Sequence, residues 1–339
     1  MDLVEPIVEL YRRMSSDLPE DVERALHAAR DREDPSSPAR EALDTILQNV
    51  RLARQMRRPL CQDTGIPVFY VTRPLAMSER EIREAIFEAT REATRAGILR
   101  ANAVDSLTGK NSGDNVGVGL PIIHIREHDA EVAPADKSLA AQESPTLPPL
   151  GGEGQGLPAS LYAVASAKEG EGAQRKEKAL AVQGAVVIEA MLKGGGCENV
   201  GLRYRLPDPS LAASRDLEGV RRCVLAAVHA AQGRACPPYV VGVAVGGARD
   251  STAVLAKRQL FRRLDDVSPV SPLADLEARL LDESNLLGIG PAGLGGNTTV
   301  LAVKIAAEHR HPASFFVEVS FGCWAMRRAG AVIAGTRHE

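Results

Sequence analysis

Cys61, Gln62, Asp63 and Thr64 set a thiol, an amide, a carboxylate and a hydroxyl in consecutive positions, followed by Gly65 and an apolar run. Such a row adds little to a core. It reads either as an ordinary turn capped by the aspartate or as metal ligation beside proton transfer. Four more cysteines bear on the choice. Cys223 lies on the apolar stripe of a helical stretch with Val220 and Val224, the place of a small buried hydrophobe. The other three share the setting of Cys61, at loops or strand edges punctuated by Gly or Pro. Cys197 follows three glycines in KGGGCEN, Cys236 opens CPPY ahead of a strand, and Cys323 follows a strand in SFGCWAMRR.

Thiols at strand ends, with rigid or glycine-rich backbone around them, can converge on one pocket that still has room for a bulky ligand. An iron–sulfur cluster needs that geometry, with thiolates arriving from distant loops. Zinc is the rival metal, although catalytic zinc brings closely spaced histidines. Four unrelated core cysteines are the plain alternative. Ligand number decides what a cluster does: four thiolates saturate it, whereas three leave one iron open to polarise a substrate oxygen. Spacing alone leaves Cys197 on either side of that division. The five cysteines are odd in number, widely spaced and without a CxxC pair, so neither a disulfide framework nor a zinc ribbon is expected.

The elements that must carry these residues interleave helices and strands. Leu3, Ile7, Leu10, Tyr11 and Met14 recur at helical spacing. Ser78 and Glu81 form a capping box ahead of Ile82, Ile86, Ala89 and Ala93 in a helix over 81–97, and 217–232 puts Leu217, Val220, Val224 and Ala227 on one stripe. Strands are predicted at 66–71, 118–125, 183–191, 239–245 and 315–321, the last with Phe315, Val317, Val319 and Phe321 on one buried face. The class is α/β, a mixed sheet with flanking helices. Residues 130–182 stand apart. Rich in Gly, Pro, Ser, Glu and Lys, they carry too little apolar surface to offset ordering entropy, and a disordered insertion between two strands is expected there.

With 339 residues, 44% hydrophobic and 25% charged, the chain can bury one large core or two smaller ones. Its 41 basic and 44 acidic residues give a net charge of −3, and aromatic and basic side chains do not interleave, so no nucleic-acid partner is expected. No apolar run nears the roughly 18 residues that span a bilayer. The start, MDLVEPIVELYRRM, lacks the basic-then-apolar order of a secretory signal. A cytoplasmic location without a membrane partner is the expectation.

The motifs CQDTG at 61–65, TGKNSGDNVGVGLPIIH at 108–124, KGGGCEN at 193–199 and ACPPY at 235–239 occur in that order. GIGPAGLGGNTTVLAVKI at 288–305, HRHPAS at 309–314 and FGCWAMRR at 321–328 follow them. Together they resemble the iron–sulfur class I fumarase family, in particular the α subunit of two-subunit fumarate hydratases and L-tartrate dehydratases. The resemblance covers nearly the whole chain outside 130–182. It implies an α-type catalytic domain over 1–339, corresponding to the N-terminal domain of single-chain class I fumarases. It also implies an oxygen-sensitive [4Fe–4S] cluster held by Cys61, Cys236 and Cys323 with one iron open. Where this chain has Cys197 the family more often carries serine, so Cys197 is not counted as a ligand.

The activity implied is that of a hydro-lyase: reversible hydration of fumarate to L-malate, a step of the tricarboxylic acid cycle, with L(+)-tartrate dehydration as the alternative. By the resemblance, Asp63 matches a proton-transferring carboxylate and His311 an active-site histidine. Gln62 matches a substrate hydrogen-bond donor, Arg100 an arginine pairing with a small dicarboxylate, and Gly196 a place where backbone meets ligand. The plain readings are a turn cap for Asp63, a turn residue for Gln62 and a solvated helix-end residue for Arg100; His309 has no match and reads as a surface residue. Single-chain relatives complete the site with a C-terminal domain. This chain ends at GAVIAGTRHE, so the resemblance implies a separate β subunit, an α2β2 assembly, and little or no turnover by the chain alone. A four-cysteine electron-transfer or iron-sensing protein is the reading of another class, and a non-catalytic paralogue a third.

Overall fold

The computed structural model describes residues 2–127 and 185–334. The insertion expected at 130–182 lies outside the described residues. Three helices come first: α1 (Val4–Ser16), α2 (Glu20–Arg32) and α3 (Pro38–Met56). Ser37 starts α3 by accepting a hydrogen bond from the Arg40 N–H, with Pro38 preset for the first turn. β1 (Ile66–Arg73) leads to α4 (Glu79–Arg95), which carries the expected capping box: Ser78 Oγ accepts from the Glu81 N–H, and Glu81 Oε2 from the Ser78 N–H. β2 (Ile122–Glu127) precedes the undescribed stretch. After it come β3 (Ala185–Lys193), the short α5 (Gly195–Asn199), β4 (Leu202–Arg205), α6 (Leu217–Ala231) and β5 (Tyr239–Gly246). The chain then runs through α7 (Arg249–Gln259), α8 (Ser271–Asn285), β6 (Val300–Glu308), β7 (Phe316–Gly322) and β8 (Arg328–Ala334).

The α/β class holds, but the described strands form two four-stranded sheets, in the orders β2-β1-β3-β8 and β4-β7-β5-β6. Each is mixed, with one parallel pair (β1–β2, β5–β6) and two antiparallel ones. Alternation sorts the faces. In the first sheet Phe69, Val71, Val186, Ile188 and Ala190 meet the apolar stripes of α1 and α4. In the second, Val241, Val243, Val317, Val319 and Phe321 meet α6 and α8. Between the sheets lies α7. Its Arg258 pairs with Glu189 of β3, and its Ala256 carbonyl sits so close to Gly242 of β5 that a Cβ there would lie 2.3 Å from it. A third apolar cluster takes residues from α2 and α3 together with Met191, Val240, Leu301 and Met326, tying both sheets to the first helices.

Leu217, expected on the α6 stripe, is 41% exposed because it opens the helix ahead of the packed turns. No helix among the described residues is long and apolar enough to cross a membrane.

Candidate active site

Two sheet ends meet at one junction. β1 starts where β3 finishes, Ile66 opposite Lys193, and β8 starts beside them, Arg328 opposite Met191. In the second sheet β5 starts where β7 finishes, Val240 opposite Gly322. Residues 323–327 carry the chain from the end of β7 directly to the start of β8. Cys61, Cys197, Cys236 and Cys323 all flank these ends, whereas Cys223 is buried in α6 against the second sheet, as its stripe required.

The thiols share one neighbourhood. Cys197 is buried, its Sγ donating to the Ala235 carbonyl at 3.7 Å, with the Cys323 thiol beside it. The neighbouring Cys197, with the Arg327 and Lys193 cations, pulls the Cys323 thiol down to about 6 against the opposing effect of burial. Cys323 beside it, with burial, pushes the Cys197 thiol up. Burial, then the nearby Cys323, Cys61 and Asp63, push the Cys236 thiol up. Cys236 holds φ +57°, a left-handed conformation unusual for a residue with a Cβ, and its carbonyl accepts from the Trp324 N–H at 3.3 Å. Cys61 and Cys323 are half-buried and Cys236 is exposed, so the group opens to solvent on one side.

The residues after Cys61 set the floor of the junction. Asp63 Oδ1 accepts from the Gly65 N–H and Oδ2 from the Gly195 N–H, both at 2.8 Å, and its carbonyl accepts from Arg327 Nη1 at 2.7 Å. Asp63 therefore caps its own turn and clamps the KGGGC loop against it. Thr64 is buried, and its Oγ1 accepts from the Arg100 N–H at 3.0 Å and from Asn102 Nδ2 at 3.1 Å. Gly65 holds φ +83°, and a Cβ there would lie 2.9 Å from the Leu192 and Lys193 backbone. Gly65→Ala is expected to destabilise the fold by about 2–4 kcal/mol, read as a lowered denaturant midpoint, because strained φ and overpacking add.

The remaining predicted residues divide. Gln62 is exposed beside Cys61 and Asp63. Arg100 is exposed, and α4 ends at Arg95 rather than 97. The Arg100 backbone is held from both sides, by Thr64 and by Asn115, whose Nδ2 donates to its carbonyl at 2.8 Å. Gly196 is exposed at the start of α5, and a Cβ there would meet nothing nearer than the Arg234 carbonyl at 3.8 Å. His311 is not brought to the thiols. It lies exposed in the turn between β6 and β7, its Nδ1 accepting from the Ala313 N–H at 3.1 Å. That turn is at the opposite end of β7 from Cys323, about 20 Å away at about 3.3 Å per strand residue.

Two residues at the junction escaped the sequence reading. Lys193 and Arg327 are 2% and 1% exposed, and each leaves a buried nitrogen, Nζ and Nε, without a hydrogen-bond partner. The signal available was a cation closing an apolar strand next to a glycine run, and a pair of arginines four residues after a cysteine. Buried cations with unmet donors beside thiols suit an anionic guest. Among the described residues no three His, Cys, Asp or Glu side chains surround a single point as ligands of one ion. A polynuclear group, in which each thiolate takes a different iron, places its sulfurs farther apart than that. Thiols that reach one open junction from separate loops, beside buried cations, are the donor set an iron–sulfur cluster takes.

Comparison with known proteins extends the picture. Residues 4–137 and 177–332 match the family model described as fumarate hydratase (Fumerase). A protein of Geobacillus stearothermophilus named fumarate hydratase class I is 38% identical over 334 residues, covering 98% of this chain and 55% of that protein. This chain thus spans about half the length of that relative. A protein of Methanocaldococcus jannaschii named L(+)-tartrate dehydratase subunit alpha is 32% identical over 332 residues, covering 97% of this chain and 96% of that one. The L(+)-tartrate dehydratase subunit alpha of Escherichia coli K12 is 30% identical, covering 98% of this chain and 90% of its own length.

Proposed function

The chain belongs to the fumarate hydratase family, and from that premise we propose that it is the cluster-bearing half of a hydro-lyase that adds water to fumarate to give L-malate. The observation that carries the reading is the meeting of Cys61, Cys236, Cys323 and Asp63 at the joined sheet ends, with the unpartnered donors of Lys193 and Arg327 beside them. The two-sheet α/β fold is then the class I α-type catalytic domain, running through residues 1–339. Cys61, Cys236 and Cys323 would hold a [4Fe–4S] cluster with one iron open, which when bound supplies a Lewis acid for the substrate's hydroxyl and one carboxylate oxygen.

This chain's own residues do the rest. Asp63 moves the proton at the substrate oxygen: the Gly65 and Gly195 N–H bonds occupy one lone pair on each carboxylate oxygen, and each keeps another. The clamp also fixes where that carboxylate points. Gln62 donates to the substrate, and Arg100 pairs with a substrate carboxylate from a backbone that Thr64 and Asn115 hold still. A separate β subunit supplies the other wall of the pocket, in keeping with the subunit names of the Methanocaldococcus and Escherichia relatives. In an α2β2 assembly His311 of one copy can serve the site of another, which a single chain cannot arrange. Tartrate is the second substrate reading, favoured by the near full-length match to the Methanocaldococcus protein. The buried Cys197 thiol, donating to the Ala235 carbonyl, speaks against a four-thiolate electron carrier.

The test is a titration of anaerobically reconstituted α and β halves with L-malate and with L(+)-tartrate, followed by electron paramagnetic resonance. Malate is expected to shift the cluster spectrum at lower concentration than tartrate; a spectrum indifferent to both dicarboxylates would overturn the reading. Gly196→Ala is expected to keep stability within about 0.5 kcal/mol, since no atom of the chain opposes the methyl group. It should weaken malate at least about tenfold, about 1.4 kcal/mol, because the ligand needs that space.

A further inference from the structure

Lys193 closes β3 in a place where an ammonium has no obvious business. It is 2% exposed, and its Nζ has no hydrogen-bond partner. The nearest carboxylate oxygen, Glu198 Oε2, is 3.9 Å away, and Glu198 Oε1 is already taken by Lys257 Nζ at 2.5 Å. One carboxylate therefore stands between two ammoniums and neutralises a single charge. Arg327 adds a third cation, with Nη1 on the Asp63 carbonyl and Nε unmatched. Three cations face two carboxylates, Glu198 and Asp63, and the sulfurs of Cys197 and Cys323 are the other charged or chargeable neighbours of Lys193. A protein that buries an ammonium with unmet donors normally provides an anion for it. Within the described chain that anion is missing, and the side toward the thiols is where it fits.

Resting on the cluster reading above, we propose that Lys193 is a positioning residue that donates to a sulfur of the group held by Cys61, Cys236 and Cys323, offsetting its negative charge. Glu198, itself anchored by Lys257, lies 3.9 Å from the ammonium. Hydrogen bonds to sulfur and nearby positive charge raise the potential of such a group and slow its loss. Lys193 thereby acts on the reaction through the cluster rather than on the substrate.

The test compares wild type, Lys193→Met and Lys193→Arg, reconstituted anaerobically. Two quantities are read: the midpoint potential by electron paramagnetic resonance titration, and the rate of iron release to a chelator. Lys193→Met removes a cation that favours the more negative, reduced state. Its potential is expected to fall by about 59 mV, a tenfold change in a one-electron equilibrium, and iron release to quicken about tenfold. Lys193→Arg, which keeps the charge, is expected to retain most of both properties and serves also if the methionine variant does not fold. A purely structural lysine would lower thermal stability and leave the potential of the folded fraction alone, which overturns the proposal. So does a loaded Lys193→Met with wild-type potential and release. A wild type that takes up no iron and sulfide at all overturns the cluster reading itself, and is thereby told apart from failure at Lys193.

Discussion

Cys236→Ser, reconstituted anaerobically with the β half, is expected to lose most of its bound iron and at least about 100-fold of fumarate hydration, more than the loss that follows removal of a residue merely supporting a ligand. Three features of Cys236 make it the most exacting of the three proposed ligands. It holds a left-handed backbone conformation, φ +57°, that a residue with a Cβ adopts only when its surroundings impose it. Its carbonyl is tied to Trp324, the neighbour of Cys323, so two of the proposed ligands move as one unit. It is also the most exposed of the four thiols at the junction, where a serine oxygen would leave an iron open to water and chelators. Cys197→Ser is the matched control: serine can still donate to the Ala235 carbonyl, so iron content and activity are expected to stay within about threefold. Iron and sulfide analysis with a fumarate-absorbance assay reads both variants. Equal loss in the two would return Cys197 to the ligand set and revive the four-thiolate reading.

The second large effect is expected from subtraction. The chain alone, with its cluster restored, should hydrate fumarate at less than about one-thousandth of the rate of the complemented protein, because orientation and charge stabilisation are shared with the other half. On this chain the cationic groups proposed for a dianionic substrate reduce to Arg100 alone. That is too few to balance two carboxylates and fix their orientation. The check is a side-by-side assay of the chain with and without the β half at matched iron content. Sustained hydration by the chain alone at a rate near the complemented one would sink the two-subunit reading.

Much of this was visible in local sequence. The capping box at Ser78 and Glu81 formed as read, because it involves only neighbouring residues. Alternation at 315–321 gave β7 its buried face, and the stripe around Cys223 put that thiol in the core. Other elements were missed for physical reasons. β4 is four residues long, too short for a period to declare itself, and it exists because β7 offers an edge to pair with. β6 is buried through its first six positions and carries Lys304 among them, an apolar run that could equally have been helix. Lys304 is tolerated there because Asp266, far away in sequence, lies 2.9 Å from its ammonium.

The sequence by itself determined which chemical groups the protein carries and in what order: four thiols beside glycine or proline, an Asp-Thr-Gly turn, a glycine run and a late arginine pair. These are properties of short stretches, where residue type and neighbour suffice. Only the tertiary structure decided which groups meet. The pairing of Ile66 with Lys193 and of Val240 with Gly322 brings Cys61, Cys236 and Cys323 to one junction from positions up to 262 residues apart, since 323 − 61 = 262. The same pairings put His311 at the far end of β7 and carry Lys193 into the interior. Strand register is set by long-range hydrogen bonds and burial, and a strand's two ends are separated by its length whatever motifs they bear. That is why the sequence could name His311 and pass over Lys193 without telling where either would lie.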